Sequence, residues 1–181
     1  MAYVPPIDWK DYNEETGVGD PSTPLSATNV ETMEAALAAY SESVAAGGIE
    51  LGYAAITSTV TKTTLYSAVL DGTGDVTGLS TTVTVASRPI MVKFSCPGGV
   101  NNNTATTSTL VSILEDGVEV CFARLDQHAT ASERDPMHFE CRRAPSAGLH
   151  TYKIVLTTLA AGTAGINAGA SSPTFIQVLE V

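Results

Sequence analysis

The 181-residue chain is acidic, with a net charge of −10, and combines 44% hydrophobic with only 15% charged residues. This composition excludes a wholly disordered chain, and the length suits one domain with a sizeable core or a smaller domain with an extended arm. The negative charge argues against nucleic acid and anionic membranes as partners. No apolar run approaches the roughly 18–20 residues that a membrane-spanning helix needs.

Residues 1–25 predict an extended arm, because prolines and glycines recur there and interrupt helical structure. The only tryptophan, Trp9, lies in this arm close to Tyr12. Such side chains need burial, and we expect them to anchor the arm on a neighbouring subunit rather than on its own domain. Residues 1–50 carry nine acidic residues against one basic residue, which is −8 of the total −10. This acidity indicates either docking on a basic protein surface or solubility alone.

Residues 26–48 predict the one clear helix, with Thr28 and Glu31 as a capping box and Gly47-Gly48 as its end. Its apolar residues are spaced alternately by three and four positions, the pattern of a coiled-coil seam. Two heptads are short for an independent coiled coil. The helix therefore either packs on its own sheet or joins a short bundle around a symmetry axis. The predicted seam consists of Val30, Met33, Leu37, Tyr40 and Val44.

Residues 49–181 predict a jelly-roll-like antiparallel β-sandwich, so that the whole chain is mainly β. Residues 90–96 alternate apolar and polar positions, and Asp116-Gly117 separates two strand-like runs, 110–115 and 118–125, as a hairpin turn does. About eight strands of this kind fit a β-sandwich or jelly roll, of which the tumour-necrosis-factor-like topology is one version. Further strands are expected around Val83 and Val85, around Phe139 and Cys141, and over residues 150–158 and 175–181.

One predicted strand is apolar on both faces. Leu110 and Leu114 share one face, and Val111 and Ile113 share the other. A two-layer sandwich normally exposes one face of each sheet to water, so the second face needs cover. We expect another subunit to supply it, which predicts an oligomer.

The sequence predicts no catalytic, cofactor-binding or metal-binding residues, and hence a protein that is not an enzyme. His128, His138 and His150 lack metal-site spacing, and the H-x-E at His138 has no accompanying C-x-x-C. Nucleophile-elbow and phosphate-loop motifs are also missing. Glu115 and Asp116 are adjacent in a turn, where solvated charge is expected.

Other polar residues also favour structural roles. His150 shares strand parity with Tyr152, so we expect a hydrogen-bonded, partly buried imidazole. The odd number and wide spacing of Cys96, Cys121 and Cys141 favour reduced thiols over a disulfide framework.

Two groups of residues leave a choice between binding and a simpler role. The segments 98–104 and 160–165 are rich in small polar residues and either connect strands or bind a sugar; we favour connection. The basic residues Arg124, Arg134, Arg142 and Arg143 either accept a neighbour's acidic arm or are solvated charge.

The segment from Trp9 through Thr23–Glu34 resembles the attachment region of tail and head-fibre proteins of tailed bacteriophages. These carry a tryptophan, a short loop and then T-P-[LI]-x-A-x-x-[LV]-x-x-[MI]-E, which residues 23–34 match. Later stretches are similar to the β-sandwich heads of the same family: Arg88–Val92, Leu114–Gly117, Gly148–Tyr152 and Phe175–Val181.

This resemblance implies a homotrimeric structural protein of the virion, attached through its N-terminal arm to other virion proteins, in the tail or at the major capsid protein. It carries over no catalytic residues. The chain lacks the shaft repeats of long tail fibres, which adds weight to capsid decoration or a head fibre beside a tail fibre or minor tail protein. Because the first residues lack a basic segment and an apolar segment, we expect synthesis in the host cytoplasm. The alternative is a carbohydrate-binding module that recognises a host receptor.

Overall fold

The computed structural model describes residues 12–13, 18–19, 33–35, 37–38, 48–66, 72–104, 107–126, 134–160 and 162–181. The chain divides into two units, residues 1–46 and residues 47–181. No helix in these ranges is long and apolar enough to span a membrane.

The first unit contains a short antiparallel pair of strands and a helical segment. β1 (Tyr12–Asn13) pairs with β2 (Val18–Gly19). Residues 33–35 and 37–38 are helical, within the predicted helix, and the side chains of Met33 and Leu37 are 55% and 41% exposed. The remaining predicted arm and seam residues lie outside the described ranges: Trp9, Val30, Tyr40 and Val44.

The second unit is an antiparallel β-sandwich, which confirms the predicted fold class. The smaller sheet has the strand order β5-β10-β7-β8. The larger sheet has the order β3-β12-β6-β11-β4, and β9 also pairs with β6. The ten strands are β3 (Ile49–Ile56), β4 (Val60–Lys62), β5 (Asp75–Val85), β6 (Ile90–Asn102), β7 (Ser108–Glu115), β8 (Val118–Asp126), β9 (Asp135–Arg143), β10 (Gly148–Thr158), β11 (Ala164–Ile166) and β12 (Thr174–Glu180).

The core lies between the two sheets and follows from strand alternation. Ile90, Val92 and Phe94 on β6 are almost fully buried, while the residues between them are only partly buried. Residues of the same kind on β10 and β12 complete this layer, including Tyr152 and Ile176. The burial of apolar surface between the sheets is the main stabilising contribution.

β6 extends beyond its predicted end, because residues 98–102 are strand and not loop. Its register shifts between Cys96 and Val100. Gly98 lies so close to the carbonyl of Asn167 that a Cβ atom would overlap it, and Gly99 has a φ of 88°. The two glycines therefore allow β6 to bend where its partner on one side changes from β12 to β11.

The second apolar face of β7 is covered within one chain, so the expectation that another subunit covers it is wrong. Leu110 and Leu114 are 4% and 0% exposed. The Tyr66 side chain reaches onto this face, where its hydroxyl donates to Glu119 Oε1 at 3.2 Å. Ser112 on β7 donates to the other oxygen of that carboxylate at 2.6 Å. The chain's own folding thus removes this argument for an oligomer.

Candidate functional site

Ionisable and hydrogen-bonding side chains gather at one end of the sandwich, where they replace the apolar core. Glu115 ends β7 and shares a face with Val111 and Ile113, so it points between the sheets. Arg143 ends β9 and shares parity with Cys141, so its side chain points into the space between the sheets from the larger sheet. We call this group the end cluster: Glu115, Asp116, Arg143, His150 and Tyr152.

Glu115 is the centre of the end cluster. Arg143 donates two hydrogen bonds to Glu115 Oε2, from Nε at 3.1 Å and from a terminal nitrogen at 3.0 Å. The Tyr152 hydroxyl donates to Glu115 Oε1 at 2.9 Å, and His150 Nδ1 lies 3.4 Å from the same oxygen. Glu115 is only 9% exposed, so the prediction of a solvated carboxylate in a turn is wrong for it. The cause is the pairing of Glu115 with Tyr152 across β7 and β10.

The hairpin turn after β7 positions the second carboxylate. Asp116 and Gly117 have φ values of 50° and 85°, the paired positive values of a type I′ turn, as the Asp-Gly sequence predicts. Asp116 Oδ1 accepts a hydrogen bond from the Thr151 backbone N–H at 2.8 Å, and Oδ2 accepts one from His150 Nδ1 at 2.8 Å. These bonds lower the pKa of Asp116, the backbone N–H of Thr151 having the largest effect.

His150 is hydrogen-bonded and its side chain is 12% exposed, as strand parity predicted. Burial lowers the pKa of this imidazole, but hydrogen bonds to Asp116 and to the Ser146 carbonyl, with the charge of Glu115, outweigh it and raise the pKa overall. Nε2 lies 3.0 Å from the Ser146 carbonyl oxygen. Burial and the Glu115 carboxylate also raise the pKa of Tyr152.

The geometry of the end cluster favours holding the two sheets together over acid–base chemistry. Both nitrogens of His150 face acceptor oxygens, so the doubly protonated imidazolium satisfies both contacts and leaves no lone pair for a substrate proton. The Arg143 guanidinium and the Tyr152 hydroxyl are likewise directed at Glu115. The cluster therefore links β7, β9 and β10 through charge-assisted hydrogen bonds.

The other predicted polar sites are separated from one another. His138 Nδ1 lies 2.8 Å from Ser95 Oγ on the outer face of the larger sheet, and His128 lies outside the described residues. Cys96 is fully buried, and burial raises the pKa of its thiol. Within the described ranges, no three His, Cys, Asp or Glu side chains are grouped as metal ligands.

The four arginines that were considered as a site for a neighbour's acidic arm, Arg124, Arg134, Arg142 and Arg143, differ in burial. Arg143 forms the end-cluster ion pair, and Arg124 pairs with Asp126 two positions along its own strand. Arg134 and Arg142 are exposed. A neighbour's acidic arm would thus meet three exposed arginines, of which Arg124 already pairs with Asp126, and not a cluster of four.

The segments 98–104 and 160–165 direct their amides inward. Asn102 is fully buried and donates to the hydroxyls of Thr109 and Thr158 at 3.2 and 3.1 Å. Asn103 Oδ1 accepts a hydrogen bond from the Thr163 backbone N–H at 2.7 Å. The expectation that both segments simply connect strands is wrong for residues 98–102 and 164–165, which belong to β6 and β11.

An apolar patch lies on the outer face of the larger sheet, and sequence reasoning missed it. The rings of Tyr53 and Phe175 are 5.4 Å apart and tilted by 32°. Tyr53 is 48% exposed and Phe175 is partly buried. Leu179 shares the outward parity of Phe175 and pairs with Met91 on β6, but it is only 7% exposed. We call these four residues, Tyr53, Met91, Phe175 and Leu179, the outer patch.

Polar side chains divide the outer patch, because Gln177 and Lys93 pair in register between Phe175 and the Leu179–Met91 pair. Gln177 donates to Glu50 beside Tyr53, and Lys93 lies 3.7 Å from Glu140. The strand parity of Phe175 within the run 174–180 could have indicated the patch, but Tyr53 has no such signal, because its neighbours are glycine and alanine. Aromatic side chains such as Tyr53 and Phe175 are enriched at protein–protein interfaces.

Comparisons with known proteins yield only distant structural likenesses. No family model and no curated protein matches the chain. The chain is similar to the Eiger TNF of S. frugiperda, with a TM-score of 0.38 and 12% identity over 73% of this chain and 93% of that one. It is also similar to dimeric latent PorU from Porphyromonas gingivalis, with a TM-score of 0.33 and 12% identity over 74% of this chain and 14% of that one.

Proposed function

We propose that this chain is a non-enzymatic structural component of a bacteriophage virion, a homotrimeric appendage attached by its N-terminal arm to the tail or the capsid. Two observations support the proposal. Residues 23–34 match the attachment motif of phage tail and head-fibre proteins. A β-sandwich occupies residues 47–181, in the place where that resemblance expects a distal head.

The outer patch carries the assembly part of the proposal. The face of the smaller sheet is covered by its own chain at β7, whereas Tyr53 on the larger sheet remains 48% exposed beside Phe175. Aromatic side chains are enriched at protein interfaces and carry much of their binding energy. The second copy of the chain is the occupant that the homotrimer requires.

The test is the solution mass of the full chain and of a Tyr53→Ser/Phe175→Ser variant, measured by light scattering. We expect three times the 18.8 kDa chain mass for the unaltered protein and a lower mass for the variant. Leu149→Ser is the matched control, because Leu149 is 70% exposed but lies on the smaller sheet. A monomeric unaltered chain would contradict the trimer, and a trimeric double variant would exclude the outer patch as its interface.

The attachment part has a separate test. A variant lacking residues 1–46 should lose incorporation into virions, detected with an antibody against the head in purified particles. If the shortened chain is also monomeric, the assembly seam lies on the predicted helix. Incorporation at the unaltered level would contradict attachment through the arm.

Host-glycan binding is the second candidate, and the Tyr53–Phe175 ring pair favours it over other ligand classes. Aromatic rings stack on sugar rings, and Gln177 and Glu50 beside them offer hydrogen-bonding groups. The test is binding to a glycan array by the unaltered protein and by Tyr53→Ser. Loss of binding in Tyr53→Ser, with no change in its solution mass, would favour this function over assembly.

A further inference from the structure

Two of the three cysteines lie on consecutive strands that belong to different sheets. Cys121 is on β8, the edge of the smaller sheet, and pairs in register with the core residue Ile113. Cys141 is on β9, which pairs with β6 in the larger sheet, and lies opposite the core residue Val92. Both thiols therefore point toward the space between the sheets, and both side chains pack against the core.

The two thiols meet where β8 and β9 come together at the side of the sandwich. Cys121 is the neighbour of the Cys141 thiol on the facing strand, and both residues are partly exposed. Burial, and after it the neighbouring Cys121 sulfur, raise the pKa of Cys141 to about 12. Cys96, in contrast, is fully buried and donates to the Asn167 carbonyl at 3.6 Å.

We propose that Cys121 and Cys141 are a disulfide-forming pair, which joins β8 to β9 when the folded protein meets a low-molecular-weight disulfide as oxidant. A bond between these residues would connect the smaller sheet to the larger one across an edge where backbone hydrogen bonds do not join them. This inference does not depend on the proposed virion role.

The chemistry is two successive thiol–disulfide exchanges. The thiolate of one cysteine attacks the oxidant R–S–S–R, forms a protein–S–S–R bond and releases one R–S⁻, which takes up a proton. The second cysteine loses its proton to solvent, attacks the protein sulfur of the mixed disulfide, and releases the second R–S⁻. Two protein thiols are oxidised to one disulfide, and R–S–S–R is reduced to two R–SH. The high pKa of Cys141 makes Cys121 the expected first nucleophile and predicts that the reaction is slow at neutral pH.

The test uses the full chain, incubated at pH 8 with oxidised glutathione and then denatured for thiol counting and peptide mapping. The chain has three cysteines, so the thiol count should fall from three to one, with the remaining thiol on Cys96 and no bound glutathione. Cys96→Ala is the matched control and should still lose two thiols. Cys141→Ser should stop at a glutathione adduct on Cys121.

Three results would overturn the proposal. Retention of all three thiols would show that the pair does not react in the folded protein. A stable glutathione adduct on the unaltered chain would show that the second exchange does not take place. A cross-linked dimer on a non-reducing gel would assign the oxidation to contacts between chains.

Discussion

Removal of the Arg143 side chain should destabilise the β-sandwich by about 2 kcal/mol. Breaking a buried ion pair costs roughly 3–5 kcal/mol, whereas an exposed pair contributes about 0–1 kcal/mol. The Glu115 side chain is 10% exposed and that of Arg143 is 37% exposed, so the pair lies between these limits. In Arg143→Ala, Glu115 keeps the Tyr152 hydroxyl and His150 but loses both hydrogen bonds from the guanidinium.

The assay is urea unfolding at pH 7, followed by far-UV circular dichroism, because the only tryptophan, Trp9, belongs to the first unit of the chain. Arg142→Ala is the matched control, since Arg142 is the adjacent residue on β9 and is exposed. It should change the free energy of unfolding by less than about 0.5 kcal/mol. In thermal unfolding, Arg143→Ala should lower Tm by roughly 4–8 °C.

A double-mutant cycle decides whether the loss comes from the Arg143–Glu115 pair. In a Glu115→Gln background, Arg143→Ala should cost less than about 1 kcal/mol, because the buried charge that it leaves behind is already gone. Equal losses for Arg143→Ala and Arg142→Ala would refute the reasoning. So would an unchanged loss in the Glu115→Gln background.

Three further predictions concern other described residues. The fold raises the pKa of His150, so the stabilising contribution of His150 is complete below pH 6.5 and is lost as the pH rises through the higher folded value. Urea midpoints measured from pH 6 to 9 should therefore fall more for the unaltered chain than for His150→Gln. Parallel curves for the two proteins would contradict this prediction. Gly117→Ala should cost about 1 kcal/mol through backbone strain alone, because φ is 85° and nothing lies within 4 Å of an added Cβ; a stabilised variant in urea unfolding would disprove it. Leu114→Ala should cost about 2–5 kcal/mol in the same assay, against less than about 1 kcal/mol for the exposed Phe122→Ala, and similar losses would show that the chain does not bury Leu114 as described.

Strands with a strong alternation of apolar and polar residues could be predicted from the sequence. Residues 90–96 alternate in this way, whereas Asp116-Gly117 signals a hairpin turn and residues 175–181 are a mainly apolar run; the structure contains strands at each. β3 and β11 have weaker signals, because glycine and alanine occupy many of their positions. Their strand conformation depends on pairing with β12 and β6, which no local pattern encodes.

The end cluster and the cysteine pair could not be predicted for a different reason. Glu115 is buried because it pairs with Tyr152 and meets Arg143, residues that lie 37 and 28 positions later. Cys121 and Cys141 meet only because successive strands enter different sheets. The sequence indicates which face of a strand each side chain occupies, but not which distant strand lies opposite it.

The position of β12 has a consequence for how the protein is made. β12 lies between β3 and β6, and its pairs with β3 range from Thr174–Ile56 to Glu180–Ile49, separations of 118 to 131 residues. During synthesis on the ribosome, the backbone groups of β3 and β6 that pair with β12 remain unpaired until residues 174–180 emerge. This delay predicts slow folding. During that interval the open edges could pair with those of another nascent chain. The yield of correctly folded protein should therefore depend on synthesis rate and temperature more strongly than the stability of the finished sandwich would suggest.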